Sequence, residues 1–161
     1  MINKKTLFIT EAAVIAAIYT VLVVIFVPIS FGPLQVRIAE ALTILPFFTP
    51  AAIPGVTIGC FLSGLLTLAD PLDIVFGSLA TLIAATLSYL LRRNKYLVPI
   101  PPIVANAIVI PWILRYAYDL PDSIPFMMMT VGFGEVLSAG VMGLVLLLAL
   151  EKVKHVVFRN K

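Results

Sequence analysis

The sequence predicts an all-α membrane protein with six transmembrane helices. Of its 161 residues, 61% are hydrophobic and 12% are charged, whereas soluble domains carry about a quarter charged residues. A helix needs about 20 apolar residues to cross the hydrocarbon core. The chain contains no internal repeat or linker, so residues 1–161 are expected to form one domain. Prolines separate six apolar segments, at about 7–27, 37–48, 51–69, 72–91, 98–118 and 125–150.

The first segment is expected to be a retained helix. Lys4 and Lys5 precede it, as basic residues precede the apolar region of a signal peptide. Its apolar run, however, is about 20 residues long, whereas the apolar region of a signal peptide has about 7–15. No convincing small-residue cleavage site follows the run.

The second segment, 37–48, is too short to span a bilayer. Twelve residues reach only about 18 Å as an α-helix, against a hydrocarbon core of about 30 Å. The preceding Pro/Gly loop, 28–35, is itself apolar. Irregular backbone is tolerated at membrane depth only beside protein or a cavity, so the loop is expected to form a lid over a site.

The other four segments are long enough to span the membrane. Pro46, in the second segment, and Pro111, in the fifth, are expected to kink the helices that contain them. With six spans, both termini and the loops after the second and fourth segments share one side. Nine of the eleven basic residues fall on that side, which the positive-inside rule identifies as the cytoplasm. The net charge of +3 is therefore a topology signal and does not indicate nucleic-acid binding. The opposite side holds Arg37, Arg115, Asp70, Asp73, Asp119 and Asp122.

The chain shows no sequence signature of an enzyme, a metal site or a cofactor site. It has no Walker loop, and Gly132-x-Gly134 only begins a dinucleotide fingerprint, because Leu137 replaces the third glycine. Cys60 is the single cysteine and His155 the single histidine. Covalent catalysis and ATP hydrolysis by this chain are therefore not expected.

Glu135 is the most informative polar residue. It lies about ten residues into the last apolar segment, so about 15 Å along a helix and near the middle of the membrane. A carboxylate at that depth is a functional-site hypothesis by default. Glu40 lies three residues after Arg37, on the same helix face, where the two form either an internal ion pair or part of a site. Asn106, in the middle of the fifth segment, either joins two helices or contacts a ligand.

Other candidates have weaker signals. Asp73 begins the fourth segment, where the helix dipole also favours an acidic residue. Trp112 and Tyr116 approach a membrane interface, where aromatic residues are common anyway. With two carboxylates at depth against Arg37, the predicted site suits a ligand that donates hydrogen bonds or carries a cationic amine. Small residues four apart on the first segment favour close helix packing, either internal or with a partner: Ala12 with Ala16, and Ala13 with Ala17.

Several stretches resemble the QueT family, the substrate-binding S components of energy-coupling factor (ECF) transporters assigned to queuosine precursors. The resemblance covers about residues 11–148. It is carried by Glu11-Ala-Ala-Val-Ile-Ala-Ala-Ile-Tyr19, by the run 28–48 (PISFGPLQVRIAEALTILPFF), by Ile53-Pro-Gly, by 73–82, by Pro101-Pro-Ile-Val-Ala-Asn106 and by Gly132-Phe-Gly-Glu135.

The resemblance implies a multi-pass protein of a prokaryotic cell membrane, with six helices, cytoplasmic termini and a first loop that closes over an outward-facing pocket. Its implied partners are a transmembrane coupling subunit and two ATPases. The implied ligand is a 7-deazaguanine such as queuine or its aminomethyl precursor. The alanines implied to dock on the coupling subunit are Ala12, Ala13, Ala16 and Ala17.

For that ligand, Glu135 or Glu40 is assigned to the guanine-like edge and Asn106 to the ring carbonyl. Phe31, Trp112 or Tyr116 is assigned to stacking on the ring. The full set of candidate substrate-binding residues is Glu135, Asn106, Glu40, Arg37, Gln35, Phe31, Asp73, Trp112 and Tyr116.

Three other functions stay open at this point. One is a proton-coupled secondary transporter of a small polar or cationic metabolite, with Glu135 as the proton-carrying carboxylate. Another is a structural membrane subunit in which Glu135 is bonded to Asn106 or Arg37. An intramembrane enzyme is a distant third, because the nucleophile–base pair is missing.

Overall fold

The computed structural model describes residues 3–30 and 36–157, and every regular element in that part of the chain is helical. The all-α fold class is therefore confirmed. Residues Phe31 and Gln35 and most of the expected lid loop lie outside the described residues. Val27–Ser30, just before them, form a single helical turn.

Six main helices follow the six predicted segments. We number them α1 (Lys4–Ile25), α2 (Ile38–Phe47), α3 (Ala52–Leu66), α4 (Asp73–Leu90), α5 (Ile100–Tyr116) and α6, which runs through Ile124–Glu135, Val136–Met142 and Gly143–Val157. Three of them are long and apolar enough to cross a membrane, namely α1, α4 and the stretch Ile124–Lys154 of α6. The other three are shorter apolar helices.

Helix α2 is the centre of the fold. It winds as a 3₁₀ helix over ten residues, whereas its length was predicted for an α-helix; 3₁₀ stretches longer than three or four residues are uncommon. All its residues from Ala39 to Pro46 are buried, and it contacts α1, α3, α4 and α6. A helix that is buried on every side is stabilised by its neighbours, which explains why this winding is kept.

Two glycines bring α1 and α3 into close contact. A Cβ atom at Gly59 would lie 2.7 Å from Cβ of Tyr19, and one at Gly55 would lie 2.9 Å from Cβ of Ile15. Ala12 and Ala16 of α1 are buried in this contact, where their carbonyl oxygens approach the two glycines. Small residues therefore set the distance between the two backbones.

The helix ends separate into a basic end and an acidic end. At the basic end, Lys95 Nζ lies 3.0 Å from Glu151 Oε2 and joins the loop after α4 to α6. At the acidic end, the Tyr118 hydroxyl donates to Asp73 Oδ2 at 3.0 Å and accepts from the Asp70 backbone N–H at 3.2 Å. This grouping agrees with the predicted charge asymmetry, while the six-span count and the orientation stay predictions.

Large apolar side chains are exposed along the outer helices, for example Ile9, Leu66 and Val145, which are 65%, 67% and 63% exposed. Soluble monomers rarely expose contiguous apolar surface on this scale. The outer surface is therefore suited to lipid.

Candidate functional site

Three polar side chains from three helices meet in the core of the bundle. Glu40 of α2, Asn106 of α5 and Glu135 of α6 are 1%, 2% and 2% exposed. Asn106 Nδ2 donates to Glu135 Oε1 at 2.9 Å, and Asn106 also interacts with Glu40. We call these three residues the carboxylate cluster. The structure thus brings together the three strongest predicted site residues.

Tyr19 of α1 completes this arrangement. Its side chain is 1% exposed, and its hydroxyl donates to Glu40 Oε1 at 2.6 Å. Sequence analysis missed Tyr19 as a site residue. The signal was present, because a tyrosine inside an apolar helix needs a partner for its hydroxyl, but the sequence does not show which partner.

Each carboxylate of the cluster has one oxygen without a partner. In the part of the chain that the structure describes, Glu40 Oε2, Glu135 Oε2 and Ser138 Oγ are buried polar atoms that make no hydrogen bond. An unsatisfied buried polar group is costly, by about 1–3 kcal/mol and by more when it is charged. The cluster is therefore able to accept hydrogen bonds from a donor that enters it.

The local winding of α6 changes directly after Glu135. Residues Val136–Met142 form a π-helical stretch, and π-turns within α-helices are frequent at functional sites. Ser138 lies in this stretch and was also missed by sequence analysis, since a serine in an apolar helix is an ordinary packing residue.

Arg37 and Asp73 line a small cleft on the other side of Tyr19 from Glu40. The cleft holds about 30 Å³ and is also lined by Tyr19, Cys60 and Ser63. The Arg37 guanidinium is attracted electrostatically by both Asp73 and Glu40. Burial raises the pKa of the Tyr118 phenol, and the hydroxyl donates to Asp73. Tyr19 thus lies between the cleft and Glu40.

The structure does not bring Trp112 and Tyr116 to the carboxylate cluster. Trp112 is 45% exposed and Tyr116 is 68% exposed. Their rings are nearly parallel, with centroids 6.2 Å apart. Together with Leu72 and Phe76 they line an apolar groove of about 280 Å³. At 100° per residue, Trp112 lies about 120° around α5 from Asn106. Both aromatic residues are therefore placed on another face of the helix.

The predicted docking alanines fall on two different faces of α1. Ala12 and Ala16 are buried against α3, whereas Ala13 and Ala17 are exposed. Ala12 and Ala16 are covered by α3, and docking through the four alanines stays a prediction.

Comparisons with known proteins agree with one another. The model of a family described as QueT transporter matches residues 9–152. The queuosine precursor transporter QueT of Lactococcus lactis subsp. cremoris (strain MG1363) is 38% identical over 93 residues, which cover 56% of this chain and 54% of that protein. The matched stretch thus spans about half the length of that relative. No solved structure matches the chain.

The family match contains α2, α5 and the first part of α6, and therefore all three residues of the carboxylate cluster. A match to a transporter family also agrees with the sequence, in which no signature of catalysis was found. This chain belongs to the QueT transporter family, a family of transporters and not of enzymes.

Proposed function

We propose that the protein is the substrate-binding membrane subunit of an ATP-driven ECF importer for a queuosine precursor, a 7-deazaguanine such as queuine or its aminomethyl precursor. Family membership and the name of the Lactococcus relative support a queuosine precursor as the cargo. The observation that carries the proposal is the pair of buried carboxylates, each with one unpaired oxygen.

The chemistry of the cluster fits this ligand class. A 7-deazaguanine presents a ring N–H and an exocyclic amino group side by side, and ionised carboxylates accept such hydrogen bonds well. Tyr19 and Asn106 occupy the other oxygens of Glu40 and Glu135, so each carboxylate has one oxygen left for the ligand. We propose that Asp73, in the cleft beside Tyr19, meets a cationic substituent such as an aminomethyl group.

Ligand binding requires movement of an element that covers the carboxylates. A purine-sized ring cannot reach carboxylates that are 1–2% exposed unless a neighbouring element moves, since ligand pockets enclose about 300–1,000 Å³. Glu40 lies near the start of α2, which follows residues 31–35. We therefore keep the lid role for this loop as part of the proposal, with α2 moving when the lid opens.

The first test is ligand identification with the purified full chain. We expect mass spectrometry of the protein to reveal a co-purifying 7-deazaguanine, and added compound to raise the apparent unfolding temperature, because ligands stabilise the state they bind. A 7-deazaadenine, which lacks the donor pair, is the control and is expected to give no shift. Absence of any shift with both queuine and its aminomethyl precursor would contradict the proposal.

Transport assays separate this function from its main alternative. In proteoliposomes, we expect uptake only when the chain is reconstituted with a coupling subunit, its two ATPases and ATP. Uptake by the chain alone, abolished when the pH gradient is collapsed, would establish a proton-coupled secondary transporter instead.

Docking on the coupling subunit is proposed to use the exposed alanines of α1. The double replacement Ala13→Trp with Ala17→Trp is expected to abolish co-purification of the coupling subunit, because bulky side chains prevent close helix approach. Ligand binding should persist, since neither alanine contacts the carboxylate cluster. The control is Val145→Trp, which enlarges an exposed residue of α6 and should retain the complex. If the double variant also retains it, docking uses another face.

A further inference from the structure

Ser138 differs from several other hydroxyl residues in the described helices. Serine and threonine in helices commonly donate to a carbonyl one turn earlier, and Ser78, Thr81 and Thr86 all do so at 2.6–3.0 Å. Ser138 is fully buried, yet its Oγ has no partner. Since alanine would fill this position without leaving a polar group unpaired, packing alone does not explain a hydroxyl here.

The backbone of Ser138 lies close to the elements that carry the carboxylate cluster. Ser138 follows Glu135 by three residues on α6, and the stretch Val136–Met142 packs on α2. The carbonyl oxygens of Ser138 and Ala41 lie 3.8 Å and 3.7 Å from the position that a Cβ atom would take at Gly143. The backbone of Ser138 is therefore close to the part of α2 that carries Glu40, the residue before Ala41.

The three unpaired atoms supply two hydrogen-bond acceptors and one donor. Glu40 Oε2 and Glu135 Oε2 accept hydrogen bonds when ionised, whereas the hydroxyl of Ser138 can donate. Two acceptors and one donor complement a ring edge that offers two adjacent N–H donors and one carbonyl acceptor. The 2-amino-oxo-pyrimidine ring of a guanine-type base has this edge, and an adenine-type base does not.

We propose that Ser138 donates a hydrogen bond to the ring carbonyl of the substrate, while Glu40 and Glu135 each accept one from its two N–H groups. This inference rests on the proposed function and deepens it, because it assigns a specificity-determining residue. It also changes the role of Asn106. The amide of Asn106 already donates to Glu135 and also interacts with Glu40, so we assign Asn106 as a positioning residue.

The assignment also explains how other bases are rejected. An adenine-type edge would place a ring nitrogen acceptor against a carboxylate, and specificity often depends on such repulsive pairs. The contact between the Ser138 hydroxyl and the ring carbonyl adds further discrimination. A ligand without this carbonyl would leave the buried hydroxyl unpaired, which disfavours its binding.

The test is a double-mutant cycle between the protein and the ligand, measured by calorimetry on the full chain. The probes are 7-deazaguanine and its thiocarbonyl analogue, which keeps both N–H donors and replaces the carbonyl oxygen by a weakly accepting sulfur. We expect Ser138→Ala to weaken binding of 7-deazaguanine about three- to tenfold. The preference of the wild type for the oxo compound should shrink by about the same factor. The affinity of Ser138→Cys for 7-deazaguanine should lie between those of the wild type and Ser138→Ala, because a thiol is a weaker donor of similar size.

The matched control is Ser88→Ala, which removes another fully buried serine. Ser88 Oγ donates to the Val98 carbonyl at 2.7 Å, so this variant should lower the unfolding temperature and leave the oxo/thio preference unchanged. Ser138→Ala without ligand should unfold at the wild-type temperature or above it, because no hydrogen bond is lost.

Two results would overturn the assignment of Ser138. One is an unchanged oxo/thio preference in Ser138→Ala while the wild type still binds 7-deazaguanine. The other is an equal loss of affinity for both compounds together with a lowered unfolding temperature, which would show a structural role. Failure of the wild type to bind either compound would instead overturn the proposed function, and the assignment of Ser138 with it.

Discussion

Replacing Glu135 by glutamine is expected to weaken binding of a 7-deazaguanine by about 1–3 kcal/mol, or roughly five- to 150-fold. The glutamine can keep its carbonyl oxygen on Asn106 Nδ2, where Glu135 Oε1 now accepts at 2.9 Å. Its amide nitrogen would then take the place of the unpaired Oε2. A donor would face the N–H of the ligand, so an attractive contact becomes a repulsive one.

Calorimetric titration of the purified variant measures this loss. The control is Glu151→Gln, because Glu151 pairs with Lys95 at the basic end of the bundle and exposed ion pairs contribute little. This control should bind the ligand with the wild-type affinity. If Glu135→Gln also binds normally, Glu135 does not contact the substrate, and the structural role through Asn106 would account for it.

Gly59→Ala is expected to destabilise the bundle and weaken the ligand site together. The added Cβ atom would lie 2.7 Å from Cβ of Tyr19 and 2.9 Å from the Ala16 carbonyl oxygen. Neither contact involves the flexible end of a side chain, so α1 and α3 must separate, at a cost of about 1–3 kcal/mol for overpacking. Because Tyr19 holds Glu40 Oε1, its displacement also disturbs the carboxylate cluster.

The measurements are the apparent unfolding temperature and the ligand affinity of the same sample. Gly132→Ala provides the matched control, since its Cβ atom would meet only Ala107 Cβ at an ordinary 3.6 Å. Equal unfolding temperatures for the two variants would contradict the tight packing of α1 on α3. A destabilised Gly59→Ala variant with wild-type affinity would show that Tyr19 does not position Glu40 for the ligand.

These two predictions address one connected arrangement. The close contact of α1 with α3 sets the place of Tyr19, and Tyr19 and Asn106 each occupy one oxygen of a carboxylate. The remaining oxygens are unpaired. Helix packing and ligand recognition are thus coupled through two side chains, neither of which needs to touch the substrate.

The sequence by itself determined the helices and the buried polar residues. Apolar runs separated by prolines place six helices, because membrane-spanning backbone must satisfy its hydrogen bonds internally. Glu135, Glu40 and Asn106 were identifiable since polar side chains at membrane depth are costly and therefore informative. The separation of basic from acidic loops was likewise visible in the sequence.

Only the tertiary structure decided which faces of these helices look inward. A helix that is apolar all round does not distinguish its lipid-facing side from its core-facing side by hydrophobic periodicity. Ala12 and Ala16 therefore could not be separated from Ala13 and Ala17, nor could Trp112 be placed on a face away from Asn106. The bond from Tyr19 to Glu40 joins residues 21 positions apart, and the unpaired Ser138 hydroxyl lies in the π-helical stretch of α6. Both depend on long-range packing that local sequence does not encode.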